Sequence, residues 1–155
     1  MHIKLFADLD GIRFVHAVEF LDELASAGRL RPSRPLRKRV AYHDPCDLGK
    51  RSGVYDAPRH VMNSIPGIEL REMANHRQNS LCCGGGGNVE SFAPEVSKAV
   101  SRNRIRQAAE VGASTLVSAC QQCERTLAGA AQAERIRMRV KDITEIVLEA
   151  IQAED

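Results

Sequence analysis

Five cysteines fall at only three places along this 155-residue chain: Cys46, the adjacent pair Cys82 and Cys83, and Cys120 with Cys123. Thirty-five residues separate Cys46 from Cys82 and thirty-six separate Cys83 from Cys120, about one strand plus one helix each time. Each place follows a short apolar run. Such a chain can bring all five thiols to one edge if it alternates strand and helix, because every such unit returns the backbone to the same side of a parallel sheet.

The local patterns agree with that alternation. Val40-Ala41-Tyr42 reads as a first strand, Pro58 to Ile65 as a helix, and Ile68 to Met73 as a second strand, with Pro66-Gly67 as the turn between. Pro94 to Val111 reads as a long helix with Val96, Val100 and Ala108 inward and Gly112 as its stop. The strand Thr115-Leu116-Val117-Ser118 follows, then a helix from Gln121 to Glu134, a strand Met138 to Lys141 and a closing amphipathic helix Ile143 to Ile151. Ahead of these, Phe14, Val18, Leu21 and Leu24 recur at helical spacing in Phe14 to Ala27, and Gly28 supplies a stop. The expected fold is a single α/β domain: a small, mostly parallel sheet of about four strands flanked by helices, preceded by an N-terminal helix. Residues 1–38 are expected to form that helix and a basic connector, and residues 39–155 the cysteine-bearing domain.

Composition narrows the function classes. Twenty-two basic and 20 acidic residues leave a net charge of +2, too little field to recruit nucleic acid. No run of 18 or more apolar residues is present, so no transmembrane segment is expected. The opening Met-His-Ile-Lys-Leu-Phe-Ala-Asp-Leu-Asp acquires acids too early for a signal peptide, which makes the cytoplasm the default location. Five thiols cannot all pair within one chain, and a reducing compartment would keep them free.

The thiols are therefore read as metal ligands. Cys120-Gln121-Gln122-Cys123 sets two thiols one turn apart at a helix start, where free amides and the helix dipole favour thiolate. That motif alone also serves zinc sites and metal-free CxxC thiol oxidoreductases. Cys82-Cys83 discriminates further, since a single small ion rarely takes two adjacent ligands whereas a larger cluster can. Gly84 to Gly87 each weaken an ordered segment by roughly 0.5–1 kcal/mol relative to Ala, so the run implies a local need. Close approach of backbone amides, those of Gly84 and Gly85 first, to metal-bound sulfur would meet it.

Tyr42-His43-Asp44-Pro45-Cys46-Asp47-Leu48-Gly49-Lys50, Gly53 to Arg59, Ser80-Leu81-Cys82-Cys83-Gly84-Gly85-Gly86-Gly87-Asn88 and Ser118-Ala119-Cys120-Gln121-Gln122-Cys123 resemble the cysteine-rich CCG domain. That family includes heterodisulfide reductase catalytic subunits and the iron–sulfur subunits of glycolate oxidase and anaerobic glycerol-3-phosphate dehydrogenase. The resemblance covers roughly Arg39 to Leu127. It implies a 4Fe-4S cluster held by Cys46, Cys82, Cys83, Cys120 and Cys123, in heterodisulfide reductases an open non-cubane form. A cube would use four thiols and leave one spare. It further implies an electron-transfer module within a multi-subunit oxidoreductase, reducing a disulfide or relaying electrons from a flavin dehydrogenase. Family members commonly carry two such units and a ferredoxin-like segment. This sequence carries one, which implies partners: other oxidoreductase subunits, a second cysteine-rich unit, or a flavin or ferredoxin-type protein, and so a place in a membrane-associated complex. A zinc-binding structural module and a metal-free thiol oxidoreductase remain the alternatives.

The other polar residues near the motifs carry blander expectations. His43 reads as a hydrogen-bonding residue at a strand end or a group tuning the centre, and His76 as part of a solvated loop. Lys50 and Arg51 read as a solvated turn, and Arg102, Arg104 and Arg106 as solvated positions around a helix.

Overall fold

The computed structural model describes residues 11–151; the opening decapeptide, expected to be no leader, lies outside them. Four parallel strands, β1 (Lys38–His43), β2 (Ile68–Arg71), β3 (Thr115–Ser118) and β4 (Arg139–Asp142), form one sheet in the order β2-β1-β3-β4. Six α-helices accompany them among the described residues: α1 (Ala17–Ser26), α2 (Asp56–Asn63), α3 (Val89–Phe92), α4 (Pro94–Glu110), α5 (Gln121–Ala133) and α6 (Ile143–Ile151). The expected α/β architecture, with an N-terminal helix ahead of the sheet, is the one observed. No helix among the described residues is long and apolar enough to cross a membrane.

The two central strands are covered on both faces, as their unbroken apolar runs require. Val40 sits opposite Leu70 on one side and Thr115 on the other. Val40, Tyr42 and Val117 pack with Val18 of α1, Val61 and Met62 of α2, and Ile143, Ile146 and Val147 of α6. Ala41 and Leu116 point the other way, toward Ile105 and Ala108 of α4 and Leu127 and Ala131 of α5. The period-2 alternation of a strand thus divides the interior into two aliphatic layers.

From β1 the chain passes to β2 on one side, then crosses to β3 on the other. Right-handed crossovers in opposite directions lie on opposite faces, so the segments leaving β1 and β3 diverge and open a crevice at the strands' carboxyl ends. All five cysteines belong to the segments that follow β1, β2 and β3.

Two helix starts differ from the periodicity. At α1, His16 Nδ1 accepts from Val18 N at 3.2 Å while Glu19 Oε2 accepts from His16 N at 2.9 Å. That reciprocal cap starts the helix at Ala17 and leaves Phe14 outside it. Helix α2 begins at Asp56, two residues ahead of Pro58, because a proline is tolerated within a first turn.

Helix α4 corrects the sequence reading more substantially. Val96 is 56% exposed and Val100 only half-buried; the buried stripe is Ser97, Ser101, Arg104, Ile105 and Ala108. The stripe is helical in period but polar toward its start, where it meets the glycine loop instead of the aliphatic layer. Arg104, expected to be solvated, is wholly buried. Arg102 and Arg106 are exposed as expected, and both pair with Glu134 at 2.6 Å, clipping α4 to α5.

Leu116, 0% exposed at the middle of the sheet, anchors the second layer. Leu116→Ala is expected to cost about 2–5 kcal/mol by transfer and cavity terms, read as a lower urea midpoint with unchanged slope.

Candidate metal centre

The site begins at the carboxyl end of β1. His43 and Asp44 are buried, Pro45 turns the chain, and Cys46 stands exposed at the start of a π-helical turn, Asp47–Arg51. Arg51 pairs with Asp47 at 3.1 Å, the solvated arrangement expected of it, whereas Lys50 forms part of the wall of the site.

Asp44 fixes this strand end to its neighbours. Arg59 of α2 grips its carboxylate with two bonds of 2.7 and 3.0 Å, and the Arg77 amide adds a third of 2.8 Å. The same guanidinium holds Glu72 at 2.6 and 2.9 Å and lies 5.3 Å from the Tyr42 ring centroid. Burial alone would lower the Arg59 pKa, but the two carboxylates more than reverse it and the group stays charged. Ser80 Oγ donates to the Asp44 carbonyl at 3.1 Å. The loop entering Cys82 and Cys83 is thus tied to the loop entering Cys46.

Glycine is required next. Gly84 has φ +90°, and a Cβ there would lie 2.6 Å from the Ser97 carbonyl oxygen and 3.2 Å from Ser101 N. A Cβ on Gly85 would meet Thr126 Oγ1 at 2.0 Å. The loop is therefore pressed between α4 and α5, with small serines admitting it on one side. In this position the Gly84 amide donates to Cys82 Sγ at 3.3 Å and the Gly85 amide to Cys83 Sγ at 3.4 Å. The glycine run answers a packing demand from α4 and α5 that the sequence did not disclose.

Cys120 is the N-cap residue of α5 in an extended conformation, and Cys123 lies in its first turn, buried. The Cys123 thiol bonds both Cys120 and Cys83, so three of the five sulfurs meet. The bond with Cys123, and the amides of Cys123 and Gln122, bring Cys120 down to about 6 against its burial and the nearby Cys83. Cys83 falls well below the usual thiol range, through Cys123 first and then His43 and the Gly85 amide, while Cys123 is pushed far up. Negative charge is thus favoured on Cys83 and Cys120 beside Cys123, and thiolate is the form that accepts a soft cation. Cys46 is raised by its partial burial and by Asp47.

A cavity of about 50 Å³ opens beside this contact. Cys46, Cys82, Cys83 and Cys123 line it together with His43, Asp44 and Lys50. A ring nitrogen of His43 lies within 4.8 Å of the sulfurs of Cys83 and Cys123, which also lie within that distance of each other. Cys120 adjoins through Cys123 without lining the cavity. His76, read as solvated, is half-exposed beside Glu72 at 3.7 Å. Sequence reasoning missed Asp44, Arg59 and Arg104. Arg104 falls in the stripe Ser97, Ser101, Ile105, Ala108, a signal that its charge masked.

Gly84→Ala is expected to destabilise by at least about 2 kcal/mol, combining a left-handed φ with a backbone clash. Gly86, with open space around its Cβ position, should tolerate Ala within about 1 kcal/mol in the same denaturation experiment. Arg59→Leu, which strands two carboxylates, should cost about 3–5 kcal/mol.

Residues 40–128 match the cysteine-rich domain CCG. The chain is 38% identical over 137 residues to one subunit of the dihydromethanophenazine:CoB–CoM heterodisulfide reductase of Methanosarcina barkeri, covering 88% of this chain and 34% of that one. It is 34% identical to the probable iron-sulfur-binding oxidoreductase FadF of Bacillus subtilis, covering 90% and 20%. It is 36% identical to a probable membrane-anchored ferredoxin of Chromohalobacter salexigens, covering 88% and 20%. The chain spans about a third of the first of these and a fifth of the other two. With the matched segment containing all five cysteines and the glycine loop, the chain belongs to the cysteine-rich CCG domain family.

Proposed function

We propose that this chain is an iron–sulfur electron-transfer module of a larger oxidoreductase, with Cys46, Cys82, Cys83, Cys120 and Cys123 as ligands of one 4Fe-4S-type cluster. The observation that carries the reading is the contact of Cys123 with both Cys83 and Cys120, beside a cavity that Cys46 and Cys82 also line. Thiolates suit iron–sulfur centres, and amides donating to cysteine sulfur, here those of Gly84 and Gly85, raise reduction potential. Such a group supplies one-electron uptake and release when bound. The resemblance to heterodisulfide reductases makes a non-cubane form engaging all five thiols the finer proposal.

Residues 39–155 act as the cluster-bearing unit, with 1–38 as helix and connector. The named relatives, a heterodisulfide reductase subunit, a probable iron-sulfur-binding oxidoreductase and a probable membrane-anchored ferredoxin, are all longer than this chain, and the working assembly includes other oxidoreductase subunits or a second cysteine-rich unit. Heterodisulfide reduction is the specific activity that the relative from Methanosarcina barkeri suggests. A cytoplasmic site of action, within a membrane-associated complex, completes the proposal. The meeting of Cys83, Cys120 and Cys123 admits a second reading, a single zinc ion held by thiolates.

Anaerobic reconstitution with iron and sulfide, followed by metal analysis and visible and electron paramagnetic resonance spectra, decides between them. About four irons and four sulfides per chain, with spectra altered in Cys83→Ser, are expected. One colourless zinc would overturn the cluster. A reversible Cys120–Cys123 disulfide with no metal requirement would make the chain a thiol oxidoreductase.

A further inference from the structure

Arg104 is wholly buried, yet none of its hydrogen bonds reaches a carboxylate. Its Nη1 donates to the Asn75 carbonyl at 2.7 Å and to Gln107 Oε1 at 2.9 Å, its Nη2 to Ser80 Oγ at 3.1 Å, and its Nε to His43 Nδ1 at 2.9 Å. The nearby carboxylates of Asp44 and Glu72 are held by Arg59. Burial brings the guanidinium down to about 10, outweighing the attraction of Asp44, Cys123 and Glu72. It therefore remains a cation at neutral pH, with its direct bonds made to neutral acceptors. Buried charges are ordinarily paired.

The bond to His43 decides what that histidine can do. A guanidinium offers donors and no acceptor, so His43 Nδ1 must present its lone pair to Arg104. The remaining nitrogen, Nε2, then carries the proton and donates to Cys83 Sγ, the one cysteine to which the ring is bonded. Neither nitrogen retains a lone pair for a metal. His43 sits at ligand distance from Cys83 and Cys123 and is nonetheless barred from ligating.

We propose that Arg104 is a positioning residue: it locks His43 as an Nε2–H donor to Cys83, bars it from the metal, and supplies the buried positive charge that offsets a thiolate-bound anionic centre. This rests on the cluster reading above and deepens it. A donor to ligand sulfur and a buried cation both stabilise the reduced, more negative state, so together they set the centre's potential.

The tautomer is read first, by long-range 1H–15N correlation of the imidazoles in the metal-free chain, with His43 assigned by its loss in His43→Gln. An Nε2-protonated, Nδ1-free ring is expected; Nδ1 protonation or an imidazolium overturns the lock. Midpoint potentials of the reconstituted chain follow. Arg104→Gln and His43→Leu should each lower the potential, and His43→Gln, which keeps a side-chain N–H donor, should recover it toward wild type. Unchanged potentials in both lowering variants overturn the tuning role, and if Arg104→Gln does not fold, the Leu and Gln pair at His43 decides it. A wild-type chain that takes up no iron and sulfide overturns the proposed function and the tuning with it; the tautomer result still decides whether Arg104 bars His43 from a metal.

Discussion

The structure turns on one buried carboxylate. Asp44 directly follows the central strand β1, two residues before Cys46, and is held by Arg59 from α2 and by the Arg77 amide from the loop after β2. A buried ion pair contributes little net stability when compared with a well-packed apolar substitute, but breaking one is costly. Its value here is geometric. The segments that follow β1 and β2, together with helix α2, are fixed relative to one another by bonds with defined directions, and Cys46, Cys82 and Cys83 inherit that placement.

Two guanidiniums occupy this end of the sheet in opposite ways. Arg59 is saturated by Asp44, Glu72 and the Tyr55 carbonyl, and faces the aliphatic layer through Tyr42. Arg104 lies on the other face, bonded to neutral acceptors and one step from Cys83 through His43. The first balances charge inside the scaffold; the second leaves positive charge directed at the sulfurs. The same residue type thus serves structure on one side of β1 and electrostatics on the other, according to what its five donors meet.

Most of the architecture was legible because it depends on periodicity. The buried run Thr115 to Ser118, the closing helix Ile143 to Ile151 and the alternation that gathers the cysteines all follow from apolar spacing and turn residues. The start of helix α4 departs from that spacing because packing against a glycine loop calls for small and polar residues, and hydrophobic periodicity carries no trace of that contact. The cysteines and glycines announced themselves by residue type. Arg59 and Arg104 did not, since an arginine is ordinarily solvated and only the partners assembled by the fold make its burial tolerable.

The contact between β1 and β3 has a kinetic side. His43 and Ser118, opposite each other in these strands, are 75 residues apart in sequence, and Cys46 and Cys120 approach only once that pairing exists. In small zinc domains the ligands lie close in sequence and metal capture can drive the chain to fold. Here closure of a long loop must come first, a step that makes non-local parallel sheets slow to form. The thiols of this domain are accordingly assembled by the polypeptide before they can grip anything together, and the fold acts as the template onto which its inorganic partner is delivered.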